Sequence, residues 1–155
     1  MRSILTVDAP PRKVVGIRRT GDYEEIGPMI TELASFIEEH NITVIGPPAY
    51  ICHEESLEAV QVAAEAGNAD IEVAFPITGE AEGSGDIRVY ELPGGKMARI
   101  IHMGPYSELP DTYQELFRWL GENHLTITGP VREVYINDPE TTEEDLLVTW
   151  IYAPI

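Results

Sequence analysis

The sequence predicts an α+β fold made of two pseudo-symmetric β-β-α-β-β repeats, with antiparallel sheets, helices on one side and a cleft between the halves. Three observations carry that prediction. The chain repeats itself without a gap, each copy has an apolar helical stripe in the same place, and each has a Gly-Pro pair beyond that stripe.

Displacing the chain by 83 positions lays residues 3–47 over 86–130, and 13 of those 45 positions are identical. Average residue usage would give about three. The identities run from Ile4/Ile87 and Pro10/Pro93 through Gly21/Gly104, Tyr23/Tyr106 and Leu33/Leu116 to Gly46/Gly129 and Pro47/Pro130. Duplication accounts for them, with repeats at 3–78 and 86–155 of one domain, 1–155. The acidic, glycine-rich stretch 79–85 reads as the linker.

In the second copy, Ile87, Val89 and Met97–Ile101 are strand-like and flank Pro93-Gly94-Gly95, which reads as a hairpin turn. The first copy has Ala9-Pro10-Pro11-Arg12 there, a looser connection. Glycines 21 and 104 end the strands. Ile26, Ile30, Leu33 and Ile37, and likewise Leu109, Tyr113, Leu116 and Leu120, recur at helical spacing and predict one amphipathic helix per copy. Ser107, Glu108 and Asp111 suit a helix N-terminus, and the helices should stop near Asn41 and Asn123-His124. Strands are expected at 49–53 and 71–77, and at 131–137 and 146–153. Between them the first copy has an apolar, alanine-rich segment around Leu57–Ala64 that predicts a short extra helix. The second copy has a polar loop there, 138–144.

Charge narrows the function classes. There are 27 acidic and 10 basic residues, a formal net charge of −17. Such a surface repels phosphate backbones and anionic membranes, so neither direct nucleic-acid binding nor membrane association is expected. A single cysteine, Cys52, suits a reducing compartment, and a cytoplasmic location is the expectation. His40, His53, His102 and His124 lack ligand spacing, and neither a glycine-rich nucleotide loop nor a Gly-x-Ser-x-Gly elbow occurs. No metal or other cofactor is expected.

Candidate site residues come from alternation. Strand 131–137 puts Glu133 and Tyr135 on one face and Val134 and Ile136 on the other. We read Val134 and Ile136 as facing the helix and Glu133 and Tyr135 as facing the cleft. The repeat has Tyr50 where Glu133 stands, so the acid departs from the symmetry. Trp150 and Tyr152 share a face of the last strand, and beside Glu133 they would form an aromatic box with one negative charge, suited to a flat or lipophilic cation. Trp119, at the edge of the helical stripe, and Tyr106, after Gly104, complete the candidate ligand-binding set. For each aromatic the competing reading is core packing, or, at Tyr106, pinning the strand-to-helix turn.

The run His102-Met103-Gly104-Pro105-Tyr106-Ser107-Glu108-Leu109, the run 129–139 and the closing Ile151-Tyr152-Ala153-Pro154-Ile155 resemble the GyrI-like small-molecule-binding domain. That domain is also the effector-binding part of AraC- and MerR-type regulators. The resemblance implies a ligand cleft between two halves, and it implies that the acid of Glu-x-Tyr, here Glu133 beside Tyr135, is the pocket carboxylate that meets lipophilic cations. Residue 3 already belongs to the repeat, so no helix-turn-helix is expected ahead of it. Three functions follow. The first is a stand-alone sensor or sequestering protein for an aromatic or cationic small molecule. The second, as in some relatives, is a hydrolase of strained cyclopropane-type compounds, with Glu133 as general base and Tyr135 as proton donor. The third is an interaction protein that modulates DNA gyrase or accompanies a regulator.

Overall fold

The computed structural model describes residues 2–155. Among the described residues nine strands and three α-helices follow one another: β1 Ile4–Ala9, β2 Arg12–Gly21, α1 Ile26–Glu39, β3 Thr43–Val44, β4 Ala49–Cys52, α2 Leu57–Ala66, β5 Ala69–Thr78, β6 Ile87–Leu92, β7 Gly95–Met103, α3 Leu109–Glu122, β8 Val131–Tyr135 and β9 Val148–Pro154. All the strand pairings described are antiparallel. The α+β class and the antiparallel strands are as the sequence predicts.

Two compact units form. One, here the N-unit, is Pro11–Pro93; the other, the C-unit, joins the residues up to Pro10 with Gly94–Ile155. The boundaries expose a correction. Pro93-Gly94-Gly95 does not close a hairpin: β6 pairs with β2, and β7 pairs with β1. Each copy's first strand lies in the unit built on the other copy's second strand. The exchange is exact in register, since Ile4 faces Ile100 while its repeat equivalent Ile87 faces Ile17. Duplicated strands present equivalent edges, so a local turn signal cannot distinguish a hairpin from such a swap.

In the C-unit the strand order is β1-β7-β9-β8. Ala98, Ile100, Ile151 and Ala153 bury one face of these strands against Leu116 and Leu120 of α3. In the N-unit, β4, β5, β2 and β6 neighbour one another in that order, and β3 pairs with β5. There α1 packs on β5 and β2, with Met29, Leu33, Phe36 and Ile37 buried. Both long helices stop where expected, at left-handed residues Asn41 (φ 52°) and His124 (φ 55°). The extra helix also forms as α2. Ser56 accepts from the Ala59 amide at 3.0 Å to start it, and Gly67, at φ 65°, ends it.

Candidate functional site

The C-unit places a carboxylate where its fold expects an apolar side chain. Glu133 sits in the middle of β8, opposite Ile151 on β9, which in turn faces Ile100 on β7. Residues paired across antiparallel strands point to the same side. Glu133 therefore shares the face that α3 covers, and only 9% of it is exposed. Val134 pairs with Trp150 on the opposite face, and Ile136 is exposed. The expected assignment of the two faces is thus reversed. Alternation tells which residues share a side but not which side is covered, and the polar residue takes the covered side because α3 supplies it with a hydrogen-bond donor.

That donor is Tyr113. Its hydroxyl donates to Glu133 Oε2 at 2.5 Å, and Tyr135, two residues along β8 on the same face, donates to Oε1 at 3.0 Å. The Tyr106 ring meets Tyr135 edge-on, with centroids 5.6 Å apart. Three aromatic rings thus gather at one acid. Among the described residues no lysine or arginine forms an ion pair with Glu133. Burial pushes its carboxyl up from the ordinary range, and the two phenol bonds and the field of His102 oppose that rise without cancelling it. Tyr106 is likewise pushed up, first by burial, then by the charges of Glu133 and Asp138.

Two neighbours complete the cluster. His102 is fully buried on β7, its Nε2 2.9 Å from the Pro105 carbonyl and its Nδ1 2.6 Å from Thr112 Oγ1 at the start of α3. A carbonyl only accepts, so Nε2 carries hydrogen, and in the neutral ring Nδ1 accepts from Thr112. His102 thereby holds the Pro105-Tyr106 turn against α3. Thr149 lies between His102 and Tyr135 in the ladder, and its buried hydroxyl has no hydrogen-bond partner among the described residues.

Of the residues picked from sequence, Glu133, Tyr135 and Tyr106 come together. Trp150 and Tyr152 do not join them. Trp150 faces Ile101 and Val134, and Tyr152 faces Arg99 and Arg132, on the other side of the strands, where the Arg99 guanidinium stacks 4.7 Å from the Trp150 ring. Trp119 packs along α3 at the edge of the apolar core. Tyr50 belongs to the N-unit, buried on β4 opposite Val73. Tyr113, His102 and Thr112 were missed as site residues, yet a signal existed. At the equivalent positions the repeat has Ile30, Arg19 and Met29, so the site gathers substitutions that break the duplication.

A second buried acid, also unforeseen, lies in the N-unit. Glu72 on β5 is 6% exposed; Oε1 is 2.6 Å from His53 Nε2, and Oε2 accepts from the Tyr90 hydroxyl at 2.5 Å. Unlike Glu133, it has a basic partner. Among the described residues no group of three potential metal ligands forms, and no helix is long and apolar enough to cross a membrane.

A family model, the GyrI-like small molecule binding domain, matches residues 4–155. The chain superposes on the crystal structure of the EcmrR C-terminal domain with a TM-score of 0.87 at 19% identity, covering 99% of this chain and 97% of that one. It spans only 57% of the EcmrR chain in a complex with DNA, with a TM-score of 0.86. A hydrolase from Listeria innocua matches with a TM-score of 0.71 at 14% identity, covering 99% of this chain and 91% of that one. SAV2435, a structure bound to tetraphenylphosphonium, matches at 0.61 and 14%, over 98% and 93% of the two chains. At these identities the likeness shows the fold. No curated protein matches the chain.

Proposed function

Since the chain belongs to the GyrI-like small molecule binding domain family, we propose that it binds a lipophilic or aromatic cation at Glu133, as a cytoplasmic sensor or sequestering protein. One observation carries this reading: a buried carboxylate held by phenol hydroxyls, with no basic side chain paired to it among the described residues. A buried charge normally has a partner, and a cationic ligand would supply one. Tyr106, Tyr113 and Tyr135 offer ring faces and edges to such a ligand, each cation–π contact contributing about 0.5–2 kcal/mol. The tetraphenylphosphonium found with SAV2435 is a cation of this class and makes a suitable probe.

Titration calorimetry with tetraphenylphosphonium tests the reading. Glu133→Gln keeps the shape and removes the charge, so affinity should fall by about tenfold or more, the loss expected when one partner of a close charge pair is neutralised. Equal affinity in the two proteins would overturn it.

A second reading has one observation in its favour. A carboxylate in contact with two phenols is also an acid–base pair, with Glu133 placed to activate water and Tyr135 to give a proton to a departing atom. Strained, electrophilic cyclopropane-type compounds are its test substrates. The reading requires turnover that Glu133→Gln abolishes.

A further inference from the structure

We propose that the Glu133 site takes up its cation in exchange for a proton, so that ligand capture is linked to pH. This rests on the cation reading above and adds to it the state of the carboxyl before the ligand arrives. The geometry of its partners carries the inference. Lysine and arginine carry a positive charge, so an acid paired with one of them is held in its ionised form. Here both partners are neutral phenols, whose oxygen can donate or accept. With Glu133 ionised, the hydroxyls of Tyr113 on α3 and Tyr135 on β8 donate to Oε2 and Oε1. With Glu133 protonated, Tyr113 still donates, and the carboxyl O–H turns the longer contact around by donating to the Tyr135 oxygen.

The surroundings have the same two-way character. From β7, His102 acts on Glu133 through its field alone, since both of its ring nitrogens are engaged elsewhere, by the Pro105 carbonyl and the Thr112 hydroxyl. That hydroxyl can donate to Nδ1 or accept from it. From β9 the nearest polar group in the ladder is the neutral hydroxyl of Thr149. Tyr106, before α3, feels the charges of Glu133 and Asp138. Among the described residues no lysine or arginine forms an ion pair with the carboxyl, burial favours its neutral form, and a bound cation reverses that preference.

The exchange balances simply. The protonated carboxyl and the cation become a carboxylate–cation pair, and one proton passes to solvent. Tetraphenylphosphonium, which neither gains nor loses protons, is the probe. Calorimetry in buffers of different ionisation enthalpy, run from the acid to the alkaline side of neutrality, should find close to one proton released per cation while the free carboxyl is protonated and none once it is already ionised. Affinity should rise about tenfold per pH unit through the window in which the free carboxyl is protonated and level off above it. Tyr113→Phe, which removes a bond that favours the anion, should move the window to higher pH, and His102→Gln should move it the same way. Glu133→Gln should release no proton and bind with flat pH dependence.

Binding that depends on Glu133 but releases no proton anywhere in this range would overturn the exchange and leave the cation reading standing. No binding of the probe at any pH would overturn both.

Discussion

Gly16 on β2 lies under the Tyr90 hydroxyl at the point where the exchanged strand β6 is fastened to the N-unit. A Cβ at Gly16 would stand 2.4 Å from the Tyr90 oxygen, 3.1 Å from its Cε1 and 2.8 Å from the Val73 carbonyl oxygen. The first contact can be relieved only by moving the hydroxyl that donates to Glu72. The last involves backbone of the adjacent strand and cannot be relieved by a rotamer change. Gly16→Ala therefore combines overpacking with the loss of a hydrogen bond to a charged group, together roughly 3–6 kcal/mol. For a chain this size that lowers Tm by roughly 6–24 °C. Tyr90→Phe alone loses only the bond, about 1.5–3 kcal/mol. In the double variant the closest clash is gone, so the two losses should fall short of additive by about 1–2 kcal/mol. Urea denaturation of the four proteins measures this coupling. Additivity within about 0.5 kcal/mol would refute the claim that the tyrosine and the glycine are in contact.

Glu133 gives a prediction of opposite sign. Its carboxyl is raised by burial, so its contribution to folding is fully present below the unfolded value near 4 and is lost as pH rises through the raised folded value. Glu133→Gln should therefore be more thermostable than the parent at neutral and alkaline pH, with the advantage vanishing in acid; melting curves across pH decide. Glu32 and Asp86 run the other way. Both are held low by Arg19, which donates to each, and their contribution is present above the unfolded value and lost as pH falls through the folded one. Arg19→Gln should flatten the acid limb of the stability profile. At Gly67, φ of 65° suits glycine at the end of α2, so Gly67→Ala should cost about 1 kcal/mol by denaturant titration.

The outline of the fold was legible because helical spacing and punctuation are local. Ile26 through Ile37 and Leu109 through Leu120 mark α1 and α3, and even the short α2 was visible in Leu57–Ala64. Strand partnership is not local. The Pro-Gly-Gly turn before β7 reads the same whether β6 folds back on β7 or crosses to β2, and a duplicated chain offers both partners the same edge. The two-residue β3 was not anticipated, since Thr43-Val44 is too short for alternation to register.

The site was half legible, and the failures share one cause. A buried polar side chain is placed by its hydrogen-bond partner, which sequence periodicity does not reveal. Strand alternation and the Glu-x-Tyr resemblance single out Glu133, but Val134 and Ile136 look more fit to be covered, so alternation alone puts the acid on the face away from the helix, whereas α3 covers it. Tyr113 held the answer. A phenol in a stripe where the other copy has Ile30 carries a donor into the core, and a donor there calls for an acceptor on the strand beneath it. The same reasoning pairs Thr112, in place of Met29, with His102 in place of Arg19. Where a duplicated fold replaces apolar or exposed residues in one copy with mutually compatible polar ones, the joint departure marks a site more sharply than any single residue. In this chain those departures converge on Glu133, a buried carboxylate with no lysine or arginine ion pair among the described residues.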